Sequence, residues 1–126
     1  MKPYLTALAI LMCGACYAAE PETVIVTLHA KAGSEAALAR VIEQHWQTAR
    51  RLNLVQDAPH VTLRGTEGGD KTYFIEVFTW RDGAIPDGAP AEIQAIWNTM
   101  NQLVEAREGS PGLNFRAVSL VTPVRE

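Results

Sequence analysis

Only two cysteines occur in the 126 residues, Cys13 and Cys16, and both fall in the N-terminal segment. The chain beyond them has no thiol for a disulfide, a zinc cluster or a cysteine nucleophile, and needs none in an oxidising compartment. Histidine is sparse as well. His29, His45 and His60 stand apart with no H-x-x-x-H spacing, so no metal site is expected. No glycine-rich phosphate loop or nucleophile elbow is present, and no cofactor is expected. Neither sign of charge dominates: 11 Lys and Arg against 14 Asp and Glu leave a formal charge of −3. With that balance and no basic stretch interleaved with aromatics, nucleic acid and an anionic membrane surface are not expected as partners. Repeats and low-complexity tracts are absent too, and the length suits one globular domain.

The N-terminus has the layout of a secretory signal peptide. Lys2 precedes the apolar run Tyr4 to Met12, and Cys16-Tyr17-Ala18 supplies small residues before a cut after Ala18. The run is too short to cross a bilayer comfortably, and the mature chain is not expected to insert into a membrane. Residues 1–18 are therefore read as a cleaved leader and 19–126 as a single periplasmic or secreted domain. Two alternatives are a retained anchor and a lipoprotein modified at Cys16, because Gly14-Ala15-Cys16 resembles part of a lipoprotein box.

What the chain does have is a strand rich in aromatic and β-branched residues, Lys71 to Arg81, bounded by Gly68-Gly69 and Asp82-Gly83. Alternation places Phe74, Glu76, Phe78 and Trp80 on one face and Tyr73, Ile75, Val77 and Thr79 on the other. Apolar on both sides, it reads as a central strand. Before it, Thr23 to Lys31 alternates as a first strand. Ser34 and Glu35 open a helix to about Asn53, with Leu38, Val41, Ile42, His45, Ala49 and Leu52 as its buried stripe and Trp46 at the border. Asp57-Ala58-Pro59 is a turn, and His60 to Thr66 is the second strand. With Gly68-Gly69 as a two-residue hairpin loop, Leu63 falls opposite Phe74 and Val61 opposite Glu76, which sends His60 to the reverse face. Asp82 to Pro90, with two prolines and two glycines, is an irregular connection placed to act as a lid beside Trp80. A second helix over Ala91 to Arg107 carries Ile93, Ile96, Trp97, Met100, Leu103 and Val104, and Gly109-Ser110-Pro111-Gly112 stops it. Leu113 to Val121 is the last strand.

The order β-α-β-β-α-β predicts a ferredoxin-like α+β fold: a four-stranded antiparallel sheet with two helices on one face. The other face, with Ile25, Ile75, Val77, Val118 and Leu120, would be apolar and exposed in a monomer. A face-to-face homodimer is expected. Glu76, flanked by Phe74 and Phe78 beneath the helices, loses hydration and becomes a candidate general base. His45 on the facing helix is a candidate proton shuttle. Phe78, Trp80, Trp97 and Trp46 are candidates to line a pocket for a small apolar or aromatic ligand, with core filling as the bland alternative, strongest for Trp97. His29 and His60 are placed near the dimer partner.

The Ala-Gly-Ser-Glu opening of the first helix, the Tyr-Phe-Ile-Glu-Val-Phe-Thr-Trp-Arg-Asp strand and the amphipathic helix after it resemble the dimeric α+β-barrel superfamily, in its antibiotic biosynthesis monooxygenase (ABM)-like branch. The resemblance spans roughly residues 23 to 121. It implies a pocket between sheet and helices and, among possible activities, cofactor-independent oxygenation of phenols or quinols. Haem-degrading members use an Asn on the first strand, a Trp ending the third and a His on the second helix. Trp80 matches the Trp, but the Asn and the His are missing, so haem degradation by that constellation is not expected. The expectation is an exported dimeric barrel that binds a small aromatic molecule, as a cofactor-independent monooxygenase or as a non-catalytic binding protein.

Overall fold

A computed structural model describes residues 20–107 and 112–121. The predicted leader, including Cys13 and Cys16, and most of the Gly109 to Gly112 stop signal lie outside the described residues. Strand β1 (Glu22–His29) leads into helix α1 (Glu35–Arg51), then strands β2 (Val55–Glu67) and β3 (Lys71–Trp80), helix α2 (Ala91–Leu103) and strand β4 (Phe115–Ala117). The sheet is antiparallel in the order β2-β3-β1-β4, the ferredoxin-like arrangement expected, with β3 and β1 central. Among the described residues no helix is long and apolar enough to cross a membrane.

Several local expectations are corrected. Ser34 precedes α1 but makes no side-chain cap; its carbonyl accepts from Leu38 N–H at 2.8 Å, and Glu35 reaches back to Gly33 N–H at 3.3 Å. Helix α2 ends at Leu103, four residues early, because the end of β1 captures the next segment. Val104 bridges Ala30, Glu105 N–H donates to His29 O at 2.7 Å and Lys31 N–H to Leu103 O at 2.9 Å. The Asp82 to Pro90 connection contains a 3-10 turn over Ile85–Gly88, and its Ala89 is buried in the core with Ile85 packed alongside. Both belong to the cluster that contains Trp80, the residue beside which the sequence placed this connection. The turn expected at Asp57 to Pro59 is an irregularity inside a longer β2, between Val55 and His60.

The β2-β3 register also moves by one residue. Glu67 pairs with Lys71, so the loop is Gly68-Gly69-Asp70, with Gly69 at φ 79° and Asp70 at φ 60°. Gly adopts the left-handed region freely and Asp tolerates it, which lets the third residue join the turn. Pairing is then Leu63 with Ile75, Val61 with Val77, Thr62 with Glu76 and His60 with Phe78. A slip of one exchanges the faces of a strand. Val61 and Leu63 pass to the reverse face, where they are 42% and 54% exposed, and His60 turns to the helix side.

The helix-side core divides into two apolar clusters. One gathers Val26, Leu28, Leu38, Ile42, Phe74 and Met100; the other gathers Val24, Trp46, Val55, Phe78, Trp80 and Ile93. Half-buried Trp97 and Phe115 pack against both. Val26, paired with Glu76, belongs to the first cluster, while Phe78, two residues on, belongs to the second. Burial of a large side chain such as Phe78 contributes about 1.5–3 kcal/mol, so the two clusters supply the driving force that holds the polar seam between them closed.

Candidate functional site

Alternation along β3 aims Glu76 inward between Phe74 and Phe78, and the helical spacing of Leu38, Ile42 and His45 aims His45 down from α1 to meet it. Both side chains are 1% exposed. His45 Nδ1 stands 3.8 Å from Glu76 Oε1, beyond hydrogen-bond range but within reach of a small movement. The other ring nitrogen is occupied: Trp97 Nε1–H donates to His45 Nε2 at 3.0 Å. Because an indole nitrogen is a donor only, His45 Nε2 has to be the acceptor, and the proton of the neutral imidazole is on Nδ1, facing Glu76.

That tautomer defines the chemistry. A protonated Nδ1 cannot ligate a metal, and moving its proton to Nε2 would set N–H against N–H at Trp97. No group of three or more His, Cys, Asp or Glu is placed to hold a metal ion among the described residues. The donor set suits proton transfer.

Aromatic rings enclose the pair. The His45 ring lies 5.7 Å from Phe78, 6.3 Å from Trp80, 6.3 Å from Trp97 and 6.4 Å from Phe115, between centroids. Phe78 and Trp80 meet edge to face at 4.8 Å. Among the described residues, the buried side-chain polar atoms without a hydrogen-bond partner are His45 Nδ1, both Glu76 oxygens and Trp80 Nε1. Native interiors leave few such atoms, and here all four lie in one seam.

Of the residues singled out in the sequence, Glu76, His45, Phe78, Trp80 and Trp97 are brought together. Trp46 stands one step away and stacks on His60 with centroids 3.6 Å apart and planes at 5°. His60 is the residue misplaced by the register: its Nε2 is 3.9 Å from Glu76 Oε1, and its side chain is 22% exposed. Burial pushes the His60 imidazole below its ordinary 6.5, against the pull of the Glu76 and Glu43 charges, while Arg50 and His45 push it the same way as burial. Phe115 was not singled out either; its inward position on the short β4 would have been the only hint. His29 is on the reverse face as expected and bonds Glu67 at 3.0 Å. Burial raises the Glu67 carboxyl, but hydrogen bonds from Arg107 and His29 outweigh this and hold it below the usual range.

Two grooves are formed by the described residues. A groove of about 510 Å³ lies on the reverse face beside Ile25, Thr27, His29 and Arg116, and another of about 260 Å³ lies along α1 and α2 beside Gln44, Thr48 and Thr99. Neither is lined by Glu76 or His45.

No family model matches the sequence, and no curated protein does. Solved structures do share the fold. SnoaB, a cofactor-independent oxygenase from Streptomyces nogalater, superposes with a TM-score of 0.60 at 14% identity, covering 86% of this chain and 100% of its own. Rv0793 from Mycobacterium tuberculosis gives a TM-score of 0.59 at 10% identity, over 84% of this chain and 100% of its own. A candidate antibiotic biosynthesis monooxygenase from Bacteroides thetaiotaomicron gives 0.58 at 10%, over 85% and 95%. The chain shares the α+β ferredoxin-like fold of these structures.

Proposed function

We propose that this protein is an exported, homodimeric ABM-like barrel that acts as a cofactor-independent monooxygenase on a small phenol or quinol, with Glu76 as base. One observation carries the reading: a fully buried carboxylate, both oxygens without a hydrogen-bond partner among the described residues, facing the Nδ1–H of His45 within an aromatic shell. Keeping such a group costs stability, and proton abstraction is the use that such a group serves. The likeness in fold to SnoaB, itself a cofactor-independent oxygenase, supports the choice of reaction.

In this reading Glu76 takes a proton from a phenolic or activated C–H group of the substrate. The resulting anion is electron-rich enough to react with oxygen, one oxygen atom entering the product as a carbonyl and the other leaving as water. A small approach lets His45 Nδ1–H bond the carboxylate, and Trp80 Nε1–H, which has no partner among the described residues, is free to bond a substrate oxygen. Admission requires the shell to open, and its half-buried members, Trp97 and Phe115, are the ones that can swing. Homodimerisation is supported by the reverse face, where Leu63 pairs with Ile75 and Val61 pairs with Val77, itself beside Ile25, in one exposed or half-exposed apolar row.

A non-catalytic binding role on the same fold is favoured by the complete closure around Glu76, where Phe78 and Trp80 are 0% exposed. Oxygen uptake against a panel of hydroquinones and anthrone-like phenols separates the two. Uptake abolished by Glu76→Gln supports the oxygenase; saturable binding without turnover, unchanged by the substitution, supports the binder.

A further inference from the structure

We infer that His60 is the proton conduit between buried Glu76 and solvent. This rests on the assignment of Glu76 as the base, and it answers a question that assignment raises: a carboxylate that is 1% exposed has to discharge each proton it accepts. His45 cannot pass it on. Its Nδ1 already holds a proton and its Nε2 is tied to the donor-only indole of Trp97, so on that side the chain of transfers ends. His60 is differently placed. It shares Glu76 Oε1 with His45, at 3.9 Å through Nε2, yet reaches the surface with a 22% exposed side chain.

The ring is held for the task by its neighbours. Trp46 of α1 stacks on it in parallel, and Thr62 Oγ1 of β2 approaches Nε2 at 3.5 Å. The charged and titratable groups facing it are Glu76 from β3 and Glu43, His45 and Arg50 from α1, with burial the largest influence. The net depression leaves the imidazole neutral, with a lone pair to offer, at and above neutral pH. A closure of about 1 Å brings Nε2 into hydrogen-bond range of Oε1. The carboxylic acid then gives its proton to Nε2 and returns to carboxylate, and the imidazolium releases a proton to water. No electrons move, and the ring returns to neutral.

The test reads proton exchange, not turnover, so it stands even if no oxygenase substrate is found. In 13C-glutamate-labelled protein transferred to D2O, the Glu76 carboxyl group exchanges its proton with solvent by way of His60, followed by time-resolved infrared spectroscopy. His60→Phe keeps a ring on Trp46 but has no nitrogen, and is expected to slow that exchange by roughly tenfold or more, with core backbone amides unchanged. His60→Gln should slow it as well. Millimolar imidazole added to His60→Ala should restore it. Loosening of the fold would accelerate exchange, so a structural role and a relay move the readout in opposite directions. Exchange as fast as wild type, or faster, in both His60→Phe and His60→Gln would overturn the inference. A wild type that consumes no oxygen but shows this slowing in the variants would sink the oxygenase reading alone.

Discussion

Glu76→Leu should make the protein more stable and inactive. The carboxylate is buried, and among the described residues neither oxygen has a hydrogen-bond partner. An unpartnered buried polar group costs about 1–3 kcal/mol, and exchanging a buried charged group for an apolar one of similar volume gains about 1–4 kcal/mol. Leucine adds methyl groups where Val26 and Phe78 already offer apolar surface, with an imperfect fit subtracting about 1 kcal/mol. His45 Nδ1 loses little, because at 3.8 Å it has no bond to Glu76 to break. The net expectation is a gain of about 2 kcal/mol, or roughly 8 °C in Tm for a domain near 100 residues. Urea unfolding at fixed protein concentration measures it as a higher midpoint with unchanged slope. A loss of more than about 1 kcal/mol would refute the reasoning, because it would mean that Glu76 is held by interactions that stabilise the fold.

Three further outcomes follow from particular contacts. Trp97→Phe removes the donor to His45 Nε2, so it should cost about 1–3 kcal/mol and give His45 a mixed tautomer in 15N spectra, where wild type shows Nδ1–H alone. Leu63→Lys adds a charge at a position that is 54% exposed in one subunit, so it should leave the monomer folded but shift sedimentation from dimer to monomer; an unaltered dimer would remove the sheet face as the interface. Because folding lowers the His60 value below 6.5, the unfolded chain takes up protons first as pH falls through that point. Stability should therefore be full above pH 6.5, decline below it and level off under the folded-state value; His60→Gln should flatten that decline in a pH series of urea melts.

The inward aim of Glu76 was legible because alternation within one strand needs no knowledge of its partners, and the same is true of Phe78 and Trp80 beside it. His45 was legible by helical spacing from Leu38 and Ile42. From these local periods came the element order, the two-layer α+β fold and the list of side chains in the seam. Tertiary structure decided what periods cannot reach. Whether Asp70 belongs to the turn depends on its left-handed backbone, and that single residue moved His60 to the side of Glu76 and Val61 and Leu63 to the opposite face. The short β4, which brings Phe115 near His45, is placed by its pairing with Val24, Ile25 and Val26 of β1. The Trp97 bond that assigns the His45 proton joins two helices 52 residues apart. Sequence alone determined which groups could meet on the helix face of the sheet, because strand and helix geometry are local; which nitrogen bears the proton, and which histidine opens to water, were set by registers and contacts that exist only once the chain has folded.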